Sequence, residues 1–254
     1  MEQVPIAEQL CQALAGEPGE IRESANLGLR DLTETGLTDA TTAQPVIDVL
    51  VPSLAAQAKA ADKHALTHLA TILTKFGGLC AKSHGELQSG LFGLFRPGMD
   101  ATLTFLVTRC CCALISAGTR SLVASMITAA FEQLHAGMSI FGEVIAKLAG
   151  AAGRRLGPLV PELLPKLIGL LQPGDDDDAL ERQAGVLAAI AAIISVCPKQ
   201  CKGADFTAQA LHRASELLAL ADESGDLFDF SDGDDDDADD DGGSDDGSDS
   251  DLGN

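Results

Sequence analysis

Four glycine stops recur along the chain at intervals close to 40 residues, and that spacing constrains the fold more tightly than any other feature of the sequence. LTETG (32–36), LTKFGG (73–78), LISAG (114–118) and LAGAAG (148–153) each close an apolar segment on glycine, and Gly36, Gly77, Gly118 and Gly153 stand 41, 41 and 35 residues apart. Glycine after a helix accepts the left-handed backbone of a helix C-cap, so each stop is expected to end a helix. A chain that repeats itself at this period builds one supersecondary unit per repeat. Each unit buries its apolar face on its neighbours, so all 254 residues can belong to one elongated array whatever their number suggests about domain count.

Paired helical patterns fill the intervals. The clearest first helix is PLVPELLPKLIGLL at 158–171, where Leu159, Leu163, Leu167 and Leu170 or Leu171 recur about one turn apart as a strip for burial. Pro161 suits a first turn, whereas Pro165 lies deeper and is expected to bend or restart the helix. Residues 43–56 repeat this design around Pro52, so a kinked outer helix is expected to recur. Second helices are more uniformly apolar, as in ALERQAGVLAAIAAIISV (179–196), and are expected to be sandwiched between neighbours, with Asp62, Asp100 and the DDDD run at 175–178 capping helix starts. Five pairs follow, at 5–36, 43–77, 84–117, 119–152 and 158–196, with one further helix at 206–221. The expected fold is all-α, a HEAT/armadillo-like α-solenoid over residues 1–221 with a disordered acidic tail over 222–254. The last helix has no partner after it, so either the acidic tail ends the protein or a further helix is missing, and no polar capping repeat is evident at the start; both ends are expected to be cut from a longer array.

The formal charge of -21 is unevenly placed, because residues 222–254 hold 16 of the 38 acids and no Lys or Arg. Residues 1–221 therefore carry 22 acids against 17 bases, and nothing resembles the basic footprint that phosphate backbones require. Nucleic acid is not an expected partner. A tail of Asp, Gly and Ser cannot bury enough to offset its chain entropy, and within it Ser231 and Ser248, each with Asp three residues on, are candidate phosphorylation sites for an acidophilic kinase. The seven cysteines are odd in number, three are consecutive, and no secretory signal precedes them, which fits reduced thiols in the cytoplasm or nucleus. Apolar stretches such as 186–196 fall short of the roughly 18–20 residues of a membrane span, so no membrane partner is expected.

Chemistry-bearing residues do not assemble into a catalytic pattern. His64 and His68 share a helix at i and i+4, but KHALTHL lacks the intervening glutamate of a zinc-protease motif, and two surface histidines are the ordinary outcome. CPKQC (197–201) has three residues between its thiols rather than two, and Cys110, Cys111 and Cys112 on an apolar helix act as small packing residues. No glycine-rich phosphate loop follows a strand, and no strand pattern is found. LFGLF at 91–95 is expected to be a tightly packed helix. No enzyme activity, metal or cofactor is expected.

A more specific resemblance lies in residues 149–200. There Gly153-Arg154-Arg155 forms a turn, Pro165 sits inside a Leu-rich helix, Asp175 to Asp178 form an acidic run, Leu180-Glu181-Arg182 opens the next helix, and Cys197-Pro198-Lys199 closes it. This order resembles a HEAT repeat of the cullin-associated, neddylation-dissociated (CAND) family. IRESANLGLRDL (21–32) and LATILTKFGGLC (69–80) are similar to further family segments, and the acidic tail falls where the family carries an Asp/Glu/Gly/Ser insertion between repeats. Ala and Gly replace many larger core residues, and a basic stretch of the family's fourth repeat is reduced to Arg109.

The resemblance implies an internal part of the N-terminal portion of such a protein. The implied partners are a cullin and its RING subunit, and the implied role is regulation of cullin-RING (SCF) ubiquitin ligase assembly and substrate-receptor exchange. A second chain that supplies further repeats is a further expected partner. Lys75, Arg109, Lys147, Arg154 and Arg182, near the ends of second helices, are the candidate contacts on the concave face. The alternative is another HEAT-repeat adaptor, a nuclear transport receptor or phosphatase scaffold.

Overall fold

The computed structural model describes residues 3–172, 177–203 and 205–223. Among them are twelve α-helices and no strand. Ten form five antiparallel pairs: α1 (Gln3–Leu14) with α2 (Glu20–Asp31), α3 (Ala40–Ala58) with α4 (Lys63–Phe76), α5 (His84–Phe92) with α6 (Ala101–Ala117), α7 (Arg120–His135) with α8 (Ile140–Ala152), and α9 (Val160–Gly169) with α10 (Asp177–Val196). The short α11 (Pro198–Gly203) and then α12 (Phe206–Glu223) follow. The even-numbered helices of the pairs stack on one another as an inner layer, α2 on α4 on α6 on α8 on α10, and the odd-numbered ones stack behind them as an outer layer that α12 extends from α9. This is the helical repeat architecture expected from the glycine spacing. One continuous apolar core runs between the layers from Ala7 to Ala210. Helix α12 extends to Glu223, and the acidic tail from residue 224, with Ser231 and Ser248, lies outside the described residues, as does the DDDD run as far as Asp176.

Helix starts obey local chemistry. Asp62 accepts the backbone N–H groups of His64 and Ala65, Asp100 those of Thr102 and Leu103, and Asp39 does the same for α3, so three helices use an aspartate N-cap, two of them in the α3–α4 pair. Prolines are placed where they do least harm: Pro45, Pro52 and Pro165 lie inside outer helices on exposed faces. The restart expected at Pro165 falls earlier. Residues Gly153–Leu159 form a 3₁₀ turn, α9 begins at Val160, and it runs through Pro165. Segment 91–95 also differs from a single helix, since α5 stops at Phe92 and Phe95 turns inward, 4.9 Å between ring centroids from the buried Phe141 of α8.

The repeat period is written into the hydrogen bonds that join one repeat to the next. The Arg22 guanidinium meets Asp62 at 2.6 Å, 40 residues on, and the His68 ring meets Asn26 at 2.8 Å across 42 residues. The Cys110 thiol donates to the carbonyl of Leu66 across 44. Basic side chains also reach back to satisfy carbonyls at the end of a helix in the preceding repeat: Lys75 donates to Thr33 and Glu34 O, Arg155 to Gly118 O, and Arg213 to Leu171 O.

The glycine stops do end helices, with Gly77, Gly118 and Gly153 at the C-caps of α4, α6 and α8, but most do so without the left-handed backbone expected of them. Of the four, Gly153 has a positive φ of 57°, whereas Gly77 is right-handed helical and Gly118 extended. Gly77 and Gly118 are there for space, because a Cβ at Gly77 would overlap the Cβ of Ala117 and one at Gly118 would overlap the side chain of Leu122. The tightest approach of one backbone to another lies between α8 and α10. A Cβ on Gly142 would overlap the backbone of Gly185, and one on Gly185 would lie 3.3 Å from Gly142 Cα.

This contact seats α10, whose segment Ala179–Val196 is 18 residues long with a mean hydropathy of 1.5. It therefore reaches the length and composition of a membrane span, contrary to the expectation drawn from its inner stretch alone. The window gains its length by including Glu181 and Arg182. Gly142→Ala is expected to cost about 1–3 kcal/mol, the usual penalty of overpacking, read from the midpoint of urea unfolding. Gly150→Ala, on the same helix with open space around it, should leave the midpoint unchanged or raise it slightly.

Candidate partner-binding groove

The inner helices α6, α8 and α10 line a concave groove of ≈ 620 Å³. Each contributes the face that remains after its apolar stripe has been buried. On α6, Leu106, Val107, Cys110 and Leu114 point into the core, leaving Ala101, Phe105, Thr108, Arg109 and Cys112 along the groove at helical spacing. Helix α8 supplies Ile140, Glu143 and Lys147, together with Val144 of its buried stripe, and α10 supplies Glu181, Ala184 and Ala188. Small residues on α10 keep the groove open, and Phe105, at 63% exposure, is its largest apolar surface.

The polar groups divide by position. Arg109 and Lys147, on adjacent helices, have no ion-pair or hydrogen-bond partner among the described residues, and Lys147 is close enough to Cys112 to oppose the rise of its pKa. Glu143 and Glu181 lie toward the N-terminal ends of α8 and α10, where the Ser139 hydroxyl donates to Glu181 at 3.2 Å. The groove thus offers an apolar surface with a cationic corner on the α6–α8 side and carboxylates on the α8–α10 side.

Two of the five candidate contacts, Arg109 and Lys147, are brought together here. Lys75, Arg154 and Arg182 are not. All three are exposed, but the Lys75 ammonium already holds Thr33 and Glu34 O, and neither Arg154 nor Arg182 lines the groove. In the Arg154-Arg155 pair it is Arg155 that is engaged, holding the carbonyls of Gly118, Ala151 and Ala152. Phe105, Glu143 and Glu181 were not anticipated. The signal for Phe105 was present in the heptad-like spacing of Ala101, Phe105, Thr108 and Cys112, opposite the core stripe of α6. In the sequence FLVTRC it is indistinguishable from a core residue without that register.

The thiols and imidazoles are placed for packing. Burial pushes the thiols of Cys11, Cys80 and Cys112 up to about 11 and that of Cys110 up to about 12, and it raises Cys111 further, so all are protonated at neutral pH. Cys197 and Cys201 are both buried, and burial raises their pKa values as well. His64 and His68 do not converge on a metal position: His64 faces Glu23 at 3.9 Å, while His68 is not a surface residue but is 4% exposed and paired with Asn26. Among the described residues no group of three or more His, Cys, Asp or Glu side chains could hold a metal. No family model matches the chain, and no curated protein matches it.

Burial, reinforced by the His64 charge, lowers the His68 pKa from 6.5 to about 4. Its ring therefore stays neutral with Nε2–H donating to Asn26 Oδ1. Between these two values the unfolded chain takes up a proton that the folded chain refuses. Stability is therefore expected to fall as pH drops from about 6.5 toward 4, by up to about 3 kcal/mol from this group. Urea unfolding across that range should show a shallower acid loss in His68→Gln than in the unmodified chain.

Proposed function

We propose that this protein is a non-catalytic scaffold that holds another protein in the groove between α6, α8 and α10. The observation that carries this reading is the juxtaposition, on a rigid inner layer, of an exposed Phe105 with two unengaged cations, Arg109 and Lys147. An aromatic anchor beside desolvatable charge is the composition that dominates protein–protein binding energy, and a stacked helical array fixes those groups without the entropy cost of ordering a loop.

The partner proposed is a cullin with its RING subunit, on the strength of the resemblance in residues 149–200, 21–32 and 69–80 to CAND-family repeats. In that role the groove would grip the cullin in its unneddylated state and regulate ligase assembly. The cationic corner supplies orientation and on-rate, and the Phe105 surface supplies most of the affinity.

The test is a pull-down of recombinant cullin with its RING subunit on the full chain. Capture is expected from the unneddylated complex and at least tenfold less from the neddylated one. Phe105→Ala and the double substitution Arg109→Glu with Lys147→Glu should each weaken capture by tenfold or more while leaving the helical circular dichroism unchanged. No capture, or capture indifferent to neddylation, contradicts the cullin assignment. Undiminished capture by both variants contradicts the groove.

A further inference from the structure

The groove carries both signs of charge, and the helices that frame it hold them in a fixed order. Ser139 on α8 bonds Glu181 on α10, and Gly142 abuts Gly185, so Glu181 stands level with Ser139, about one turn before Glu143. Lys147 follows Glu143 by one further turn on the same exposed face of α8. Arg109 lies one turn before Cys112, which Lys147 approaches, so the two bases share one end. Along its length the groove therefore reads acid, acid, then paired bases, over about 12 Å. The exposed ring of Phe105 sits one turn from Arg109, toward the acids.

These charges do not satisfy one another. Glu143 and Lys147 have the i, i+4 spacing, acid first, that favours an ion pair, yet none joins them. Neither they nor Arg109 has an ion-pair or hydrogen-bond partner among the described residues. The dimensions add a shape. From Ala101 to Cys112 the groove runs about 17 Å along α6. A helix of that length and about 10 Å across fills roughly 1,300 Å³, so ≈ 620 Å³ takes in about half of it, one face. Ala184 and Ala188, the exposed wall on α10, leave room for a helix to approach. Side chains at i, i+4 and i+8 of such a helix repeat the interval of about 6 Å between Glu181, Glu143 and Lys147.

We infer that the groove receives an amphipathic helix of the partner whose seated face carries a base, an aliphatic residue and an acid, one turn apart. The base meets Glu181 and Glu143, the aliphatic residue covers Phe105, and the acid meets Arg109 and Lys147. This deepens the scaffold reading and rests on the groove being the holding surface, not on the partner being a cullin. A uniformly acidic helix gains at the paired bases and is repelled by the two glutamates, and a uniformly basic one suffers the converse. Specificity comes from both rejections.

Fluorescence polarisation of labelled peptides against the full chain tests the inference. The probes are three alanine-rich helices of about 18 residues. Each carries a central Leu with a charged residue one turn away on either side: Glu and Lys, Glu and Glu, or Lys and Lys. The Glu/Lys peptide is expected to bind at least tenfold more tightly than the other two. Arg109→Glu with Lys147→Glu, and separately Glu143→Lys with Glu181→Lys, should each weaken its binding by tenfold or more. The second pair should also strengthen binding of the Glu/Glu peptide. All four positions are exposed, so helical circular dichroism should not change. A uniformly charged peptide that binds as tightly as the Glu/Lys one, or Glu/Lys binding indifferent to either swap, overturns the inference. If that binding still falls in Phe105→Ala, the groove remains the holding surface. Binding by none of the three also overturns it, and the groove reading falls with it only if capture of the cullin complex is undiminished in the Phe105 and Arg109/Lys147 variants.

Discussion

The fixed register of the inner layer is the constraint on which the rest of this structure depends. Each inner helix must approach the next closely enough to bury a mostly aliphatic stripe, and with no Trp or Tyr in the chain the core has few large rings to bridge a gap. Close approach is therefore achieved by removing side chains where backbones meet, at Gly142 against Gly185 and at Gly77 against Ala117. Between those points, hydrogen bonds from one repeat to the next, such as Arg22 to Asp62 and His68 to Asn26, hold the same offset of about 40 residues. Slipping one helix along another would break both sets of contacts at once.

The groove is a consequence of that register rather than an addition to it. Once Leu106, Cys110 and Leu114 are committed to the core, α6 has one remaining inner face, and Phe105 and Arg109 must lie on it. The same holds for Glu143 and Lys147 on α8. The seating of α10 is set by its backbone contact with α8, so a clash introduced at Gly142 would move the groove as well as weaken the fold. The protonated, buried thiols of Cys110 and Cys111 on α6 complete the picture of helices built for packing, whose outward chemistry is confined to a few positions.

Much of the fold was legible in the sequence because its signals are periodic. Glycine spacing, aspartate caps at Asp62 and Asp100, and leucine stripes located all five pairs. The failures share one cause: local chemistry gives a residue's options, and tertiary contact selects among them. Gly77 reads as a cap but is required by Ala117. Pro165 reads as a break but is tolerated where the 3₁₀ turn has already absorbed the restart. His68 reads as a surface residue until Asn26, 42 positions away, is placed beside it. For the groove, charge at the ends of second helices picked out Arg109 and Lys147, but the same rule also admitted Lys75, whose ammonium the preceding repeat holds, and it passed over Phe105, whose type gives no hint of exposure.

The central claim is that the concave inner layer, and not the outer layer or the ends of the array, is the holding surface. Hydrogen–deuterium exchange of the full chain with and without an unneddylated cullin and its RING subunit tests it most directly. The account predicts slowed exchange concentrated in 101–112 of α6 and 140–147 of α8, with the outer helices α3, α7 and α9 unchanged. Protection confined to those outer helices, with α6 and α8 exchanging as in the free chain, would contradict it.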